Sequence, residues 1–174
     1  MRHGQTDWNR LQLCVGQNDQ PLNAYGVKQA CASNRIVQTL GVDVIFHSPL
    51  SRAARTAQIV AGAIPLLLEP DLREVCLGVK EGQFEADPAD DFVSAWLRGQ
   101  TIPGAEQFDE FRDRAVNAVN RCLDVAQSRS ALIVAHSAVF IALASSCGLK
   151  AQDLGHCQPH LFAPQAEGWL VRPA

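Results

Sequence analysis

Short apolar runs alternate with longer stretches of helical spacing along this chain, and that alternation limits its fold more than any other feature. Residues 42–46 and 131–135 read as buried strands, 64–68 as another and 168–171 as the last. Val27, Ala30, Val37 and Leu40 recur at helical spacing and predict a helix over about 24–40, stopped by Gly41. Further helices are predicted over about 51–62, 89–97 and 138–147. A longer one follows Pro103-Gly104 and runs to about residue 126, apolar at Phe108, Phe111, Ala115, Ala118 and Cys122. The expected architecture is α/β: a mostly parallel central sheet with helices on both faces, a three-layer sandwich. With 174 residues the chain suits one domain, 1–174. Residues 70–90, punctuated by Pro70, Gly78, Gly82 and Pro88, read as a long loop, a length more common in functional segments than in plain connections.

The charge balance narrows the partners. Fifteen Lys and Arg stand against 18 Asp and Glu, with no long run of either sign, so neither a nucleic acid nor an anionic membrane surface is expected as a partner. The most apolar stretches, 59–68 and 138–144, fall short of the roughly 18 residues a membrane span needs. No apolar run follows Arg2 and His3 as it would in a signal peptide, and a cytoplasmic location is expected. Six cysteines, at 14, 31, 76, 122, 147 and 157, show no CxxC pair and read as reduced thiols. Cys31, Cys122 and Cys147 fall in helical patterns as small core residues, whereas Cys76 is a loop thiol.

Several polar residues lie just past the carboxyl ends of the strands, where open α/β sheets bind ligands. His136 follows the run 131–135 directly, and Ser48 and Arg52 follow the strand ending at Phe46. Arg52 falls in the first turn of a helix, whose dipole also favours an anion. At the start of the chain, Arg2-His3-Gly4 joins a guanidinium fork matched to phosphate oxygens, an imidazole able to act as nucleophile and a residue that lets backbone approach a ligand. With Glu74 as candidate acid, these residues compose an anion pocket of two imidazoles and two guanidiniums.

In order and spacing the chain resembles the histidine phosphatase superfamily, which includes the cofactor-dependent phosphoglycerate mutases. The resemblance covers nearly the whole chain. It rests on Arg2-His3-Gly4 followed by Gln5-Thr6-Asp7-Trp8-Asn9, on Gly16 and Asp19-Gln20-Pro21-Leu22, and on Ser48-Pro49-Leu50-Ser51-Arg52-Ala53. It continues through Leu72-Arg73-Glu74 with Gly78 and Glu81-Gly82, Pro103-Gly104-Ala105-Glu106, and Val134-Ala135-His136-Ser137. The resemblance implies that His3 becomes a phosphohistidine, that Arg2, Arg52 and His136 hold the phosphoryl group with Asn9 as a further contact, and that Glu74 donates and accepts the proton. Glu81 is the rival for that role; Glu74 is preferred because the family's acid stands four residues before the glycine matched by Gly78. The implied activity is a phosphomonoesterase acting on a small phosphorylated metabolite without metal or other cofactor.

The departures from the family pattern are informative. Ser137-Ala138 stand where Gly-Gly is common, Lys80 replaces an aromatic residue, and Val75-Cys76-Leu77 is an uncommon filling of the loop. The long insertions that cap the pocket in mutases are missing, which favours hydrolysis over a mutase-type isomerase; a weakly catalytic protein that binds a phosphorylated ligand is the third reading. His156 and His160, with Cys157 between them, lack the second ligand pair of a metal site. The family's apolar strand before Arg-His-Gly is reduced to Met1, so the expected sheet lacks its first strand. Unpaired backbone groups would then cost about 1–3 kcal/mol each, and a chain extended upstream by a short apolar strand is expected to be more stable and more active. The α-amino group would also sit one residue from Arg2.

Overall fold

The structure is a computed structural model that describes residues 1–84, 92–149, 154–166 and 168–174. Three strands, β1 (Val44–His47), β2 (Leu66–Leu68) and β3 (Ala131–Val134), form a parallel sheet in the order β2-β1-β3. Ile45 pairs with Leu66 on one side and Leu132 on the other. Around it lie α2 (Ala24–Thr39), α3 (Ser51–Ala61), α5 (Phe108–Ala126) and α6 (Ser137–Ser146), while α1 (Asp7–Arg10) and α4 (Phe92–Leu97) are short. The three layers follow from strand periodicity. Val44 and Phe46 face a cluster containing Phe111, Ala115 and Ala118 of α5 with Val139 and Ala142 of α6. Ile45, Leu132 and Val134 face the opposite cluster, which holds Ala30 and Val37 of α2 with Ala53, Ala57 and Val60 of α3.

The helices begin and end where their sequences direct. Asn23 caps α2 by accepting from the Gly26 N–H at 2.8 Å. Thr6 and Asn9 form a reciprocal capping box that makes the single turn of α1, an element the hydrophobic pattern does not register. The α5 stripe predicted from spacing is the buried face of that helix. No helix among the described residues is long and apolar enough to cross a membrane.

Other expectations need correction. The last strand, β5 (Gly168–Pro173), pairs antiparallel with β4 (His160–Gln165), which the sequence pattern missed. Pro164 and the weak alternation of His160 to Gln165 conceal it. This hairpin stands apart from the main sheet and packs Phe162 and Val171 near Phe140 of α6. The 70–84 part of the predicted loop carries 3-10 turns at Pro70–Leu72 and Gly78–Lys80. Residues 89–91 of the predicted 89–97 helix lie outside the described residues. Cys31, expected in the core, is exposed, and Cys147 is half-buried; all six cysteines are free.

The place beside β3 is filled over a short length by residues 1–3. Arg2 makes parallel bridges to both Ala135 and His156. Ala135 donates to the Met1 carbonyl at 3.0 Å, His3 donates to the Ala135 carbonyl at 3.0 Å, and Cys157 donates to the Arg2 carbonyl at 2.9 Å. The Met1 amine donates to the Ile133 carbonyl at 2.8 Å, and burial lowers its pKa to about 6.

Candidate active site

The carboxyl ends of β1 and β3 and the segment 1–3 converge on His3. Its backbone turns out of the sheet at Gly4, whose N–H donates to the Thr56 hydroxyl at 3.0 Å; that hydroxyl donates onward to the Arg52 carbonyl at 2.7 Å. The loop then passes so close to α2 that a Cβ on Gly26 would collide with the Gln5 backbone. These contacts clamp the nucleophile candidate between α2 and α3.

Protons on His3 follow from its partners. Nδ1 lies 2.7 Å from the Gly4 carbonyl, which only accepts, so Nδ1 carries the hydrogen. Arg52 donates Nε–H to the other ring nitrogen, Nε2, at 3.2 Å, so Nε2 presents its lone pair. Burial first, then the charges of Arg52 and Arg2, hold the imidazole well below its ordinary pKa of 6.5. His3 is therefore neutral at pH 7, with its Nε2 electron pair accepting from a guanidinium. Arg52 is itself fully buried and aimed by two carbonyls, donating to Asn18 at 2.9 Å and Gly16 at 2.7 Å. Gly16 has φ +52, a conformation few other residues adopt without strain, and it turns this carbonyl toward Arg52.

His136 is the N-cap residue of α6 and lies with its ring centroid 5.2 Å from that of His3. Its Nε2 is 2.7 Å from the Ser48 hydroxyl, while Nδ1 is buried with no partner among the described residues. Burial, Arg52 and His3 hold this imidazole well below its ordinary pKa too. Asn9 accepts through Oδ1 from the Thr6 N–H and hydroxyl, and Arg2 donates to the Leu154 carbonyl at 3.2 Å.

Glu74 faces this group from a segment without regular structure. Its carboxylate accepts from the Val75 N–H at 3.0 Å and from the backbone of Ala138 at the start of α6. Burial raises its pKa against the opposing pull of Arg52. The segment is held by Arg114 of α5, which donates to the carbonyls of Asp71 at 2.7 Å, Arg73 at 3.1 Å and Glu74 at 3.4 Å. Glu106 pairs with Arg114 at 2.8 Å and accepts the Cys76 N–H at 2.8 Å. Arg114 went unnoticed in the sequence, although one signal was present: it is a charge three residues after Phe111, on the edge of the apolar stripe. Glu81 does other work, accepting the N–H groups of Gln17 at 2.9 Å and Leu77 at 3.2 Å and so tying two loops together.

Arg2, His3, Asn9, Arg52, Glu74 and Ser137 line one cavity of about 110 Å³. Of the predicted site residues only His136 is not among those lining it; its ring neighbours that of His3. His156 lies with Nδ1 2.7 Å from the His3 carbonyl, while His160 packs near the Phe140 ring, and no three His, Cys, Asp or Glu side chains among the described residues gather as a metal site.

The sequence profile of the histidine phosphatase superfamily (branch 1) matches residues 1–161. The chain belongs to this superfamily. It is 34% identical over 194 residues to the probable phosphoglycerate mutase GpmB of Salmonella paratyphi B, covering all of this chain and 90% of the relative. Among solved structures it resembles mycobacterial glucosyl-3-phosphoglycerate phosphatase, at a TM-score of 0.82 and 26% identity over 99% of this chain and 94% of the other. It has the fold of Entamoeba histolytica phosphoserine phosphatase, crystallised with 3-phosphoglyceric acid, at a TM-score of 0.83 and 21% identity over 98% and 91% of the two chains. Ser137 and Ala138, which follow the second histidine, line the cavity.

Proposed function

We propose that the protein is a phosphomonoesterase that hydrolyses a small phosphorylated metabolite through a phosphohistidine on His3. The observation that carries this reading is the proton arrangement on His3: Nδ1–H is engaged by the Gly4 carbonyl and Nε2 points its lone pair beside Arg52. In the first step Nε2 attacks phosphorus, the bond from phosphorus to the ester oxygen breaks, and Glu74 gives its proton to the departing alkoxide. In the second, Glu74 as carboxylate takes a proton from water, the water oxygen attacks phosphorus and the P–N bond returns its electrons to Nε2. Arg2, Arg52, Asn9 and the unpartnered Nδ1 of His136 are the groups to hold the phosphoryl oxygens. The raised pKa of Glu74 supports its role as an acid.

Two guanidiniums supply the positive charge phosphoryl transfer needs, so a chelator is expected to leave turnover unchanged. Substrate followed by an alkaline quench should trap phosphate on His3 as an acid-labile, alkali-stable adduct. His3→Ala should lose that adduct and roughly 10³–10⁶-fold in kcat. Wild-type turnover in His3→Ala would overturn the assignment. A mutase-type isomerase, the reading suggested by the name of the Salmonella relative, would instead return the phosphoryl group to the alcohol and interconvert phosphoglycerates.

A further inference from the structure

The cavity is lined by polar groups around His3 and by a set of apolar side chains, and the apolar set bears on the leaving alcohol. Beyond the polar groups around His3, the wall is built from Leu13, Val15, Leu77, Val93, Trp96 and Ile141, brought in from the loop after α1, the Glu74 segment, α4 and α6. Among the described residues, the cavity has no Lys on its wall and no Arg besides Arg2 and Arg52. Arg52 is already directed at His3 and two backbone carbonyls, and Arg2 extends from the residue next to His3. Both guanidiniums therefore belong with the phosphoryl group. Glu74, the acid on this wall, brings no positive charge to a carboxylate.

From this division we infer that the substrate is the phosphate monoester of a compact, uncharged, mainly apolar alcohol. The inference rests on the phosphomonoesterase reading above and specifies its substrate class. An ester carrying a carboxylate next to the phosphoryl group, such as phosphoserine or 3-phosphoglycerate, would lose the hydration of that charge against leucine, valine and tryptophan side chains with no counter-charge in return. A sugar phosphate would strand several hydroxyls in the same way. An apolar body instead gains from leaving water. Size agrees, because about 110 Å³ is well below the roughly 300–1,000 Å³ usual for larger organic ligands.

The test compares kcat/KM of the full chain for benzyl phosphate, phosphoserine, 3-phosphoglycerate and glucose 6-phosphate, all alkyl esters. Benzyl phosphate is expected to be preferred by roughly 10²-fold or more, the scale on which stranded polar groups discriminate. Ile141→Arg, which places a guanidinium on the apolar wall, should narrow the gap to the two carboxylate esters by about tenfold; Val93→Lys serves the same purpose should that variant not fold. Phosphoserine, 3-phosphoglycerate or glucose 6-phosphate turned over as well as benzyl phosphate would overturn the inference while leaving the phosphatase reading standing. An unchanged ratio in a folded variant would also overturn it. Absence of turnover with every ester, and of phosphate trapped on His3, would defeat the phosphatase reading and the inference together.

Discussion

His3 and Glu74 line the same cavity but are held by different means. His3 sits where backbone does most of the work: it is hydrogen-bonded into the sheet edge at Ala135, and Gly4 and Thr56 fix its exit. Glu74 sits outside the main sheet, and its carbonyl is held by the side chains of Gln17 at 3.0 Å and Arg114 at 3.4 Å, with Glu106 paired to Arg114. The floor of the cavity is a product of strand pairing, whereas the Glu74 side of the wall is held by side chains, the Arg114–Glu106 pair and Gln17 among them. In the proposed mechanism the attacking group is on the strand-paired part, and the group that would exchange a proton with the alcohol and then with water is on a part anchored by side chains. Local stability follows the density of such anchors.

The largest effect that would sharpen this contrast is the removal of the acid. Glu74→Gln should reduce kcat roughly 10²–10⁴-fold while phosphate still adds to His3 from an ester with an acidic leaving group, because the floor is intact. Glu81→Gln retains an amide oxygen able to accept from Gln17 and Leu77, and should change kcat by less than about threefold. If the two variants ranked the other way, the proton donor would be Glu81.

An intermediate effect is expected from the Arg114 anchor. Arg114→Met keeps much of the packing over Phe111 but removes a donor from the carbonyls of Asp71, Arg73 and Glu74 and takes away the charge partner of Glu106. Thermal unfolding should show a loss of about 1–3 kcal/mol, and kcat should fall roughly tenfold with the nucleophile still able to be phosphorylated. Unchanged stability and rate would mean that the wall stands without Arg114.

The smallest effect is a displacement of pH limbs. Hydrolysis needs His3 neutral, so kcat/KM should fall as pH drops through a His3 pKa lying below 6.5. It also needs Glu74 protonated, so the rate should fall as pH rises through a Glu74 pKa lying above 4.5. After correction for substrate ionisation, Glu74→Gln should lose the alkaline limb and keep the acid one. In Arg114→Met the alkaline limb should move down, because water reaching the loosened wall relieves the burial that raises the Glu74 pKa. An alkaline limb that survived Glu74→Gln would assign it to another group.

Sequence alone determined the layers, the order of the helices and the placing of His136 and Arg52 just beyond strands. These properties are local: a buried parallel strand is a short apolar run, a helix buries one residue in three or four, and a polar residue after the run lands at the sheet's carboxyl edge. The resemblance, carried by motifs spread along the whole chain, added Asn9 and ranked Glu74 above Glu81. Tertiary structure alone decided the rest. Nothing local says that Arg114 reaches the carbonyls of Asp71 and Arg73, that Arg52 faces Nε2 rather than Nδ1 of His3, or that β5 finds β4 across a turn instead of joining the main sheet. The apolar lining of the cavity is of the same kind, since its side chains come from four separate segments. Periodicity tells each residue whether to be buried. Which distant residue it meets there depends on how the layers pack, and that choice set the proton on His3 and the character of the cavity wall.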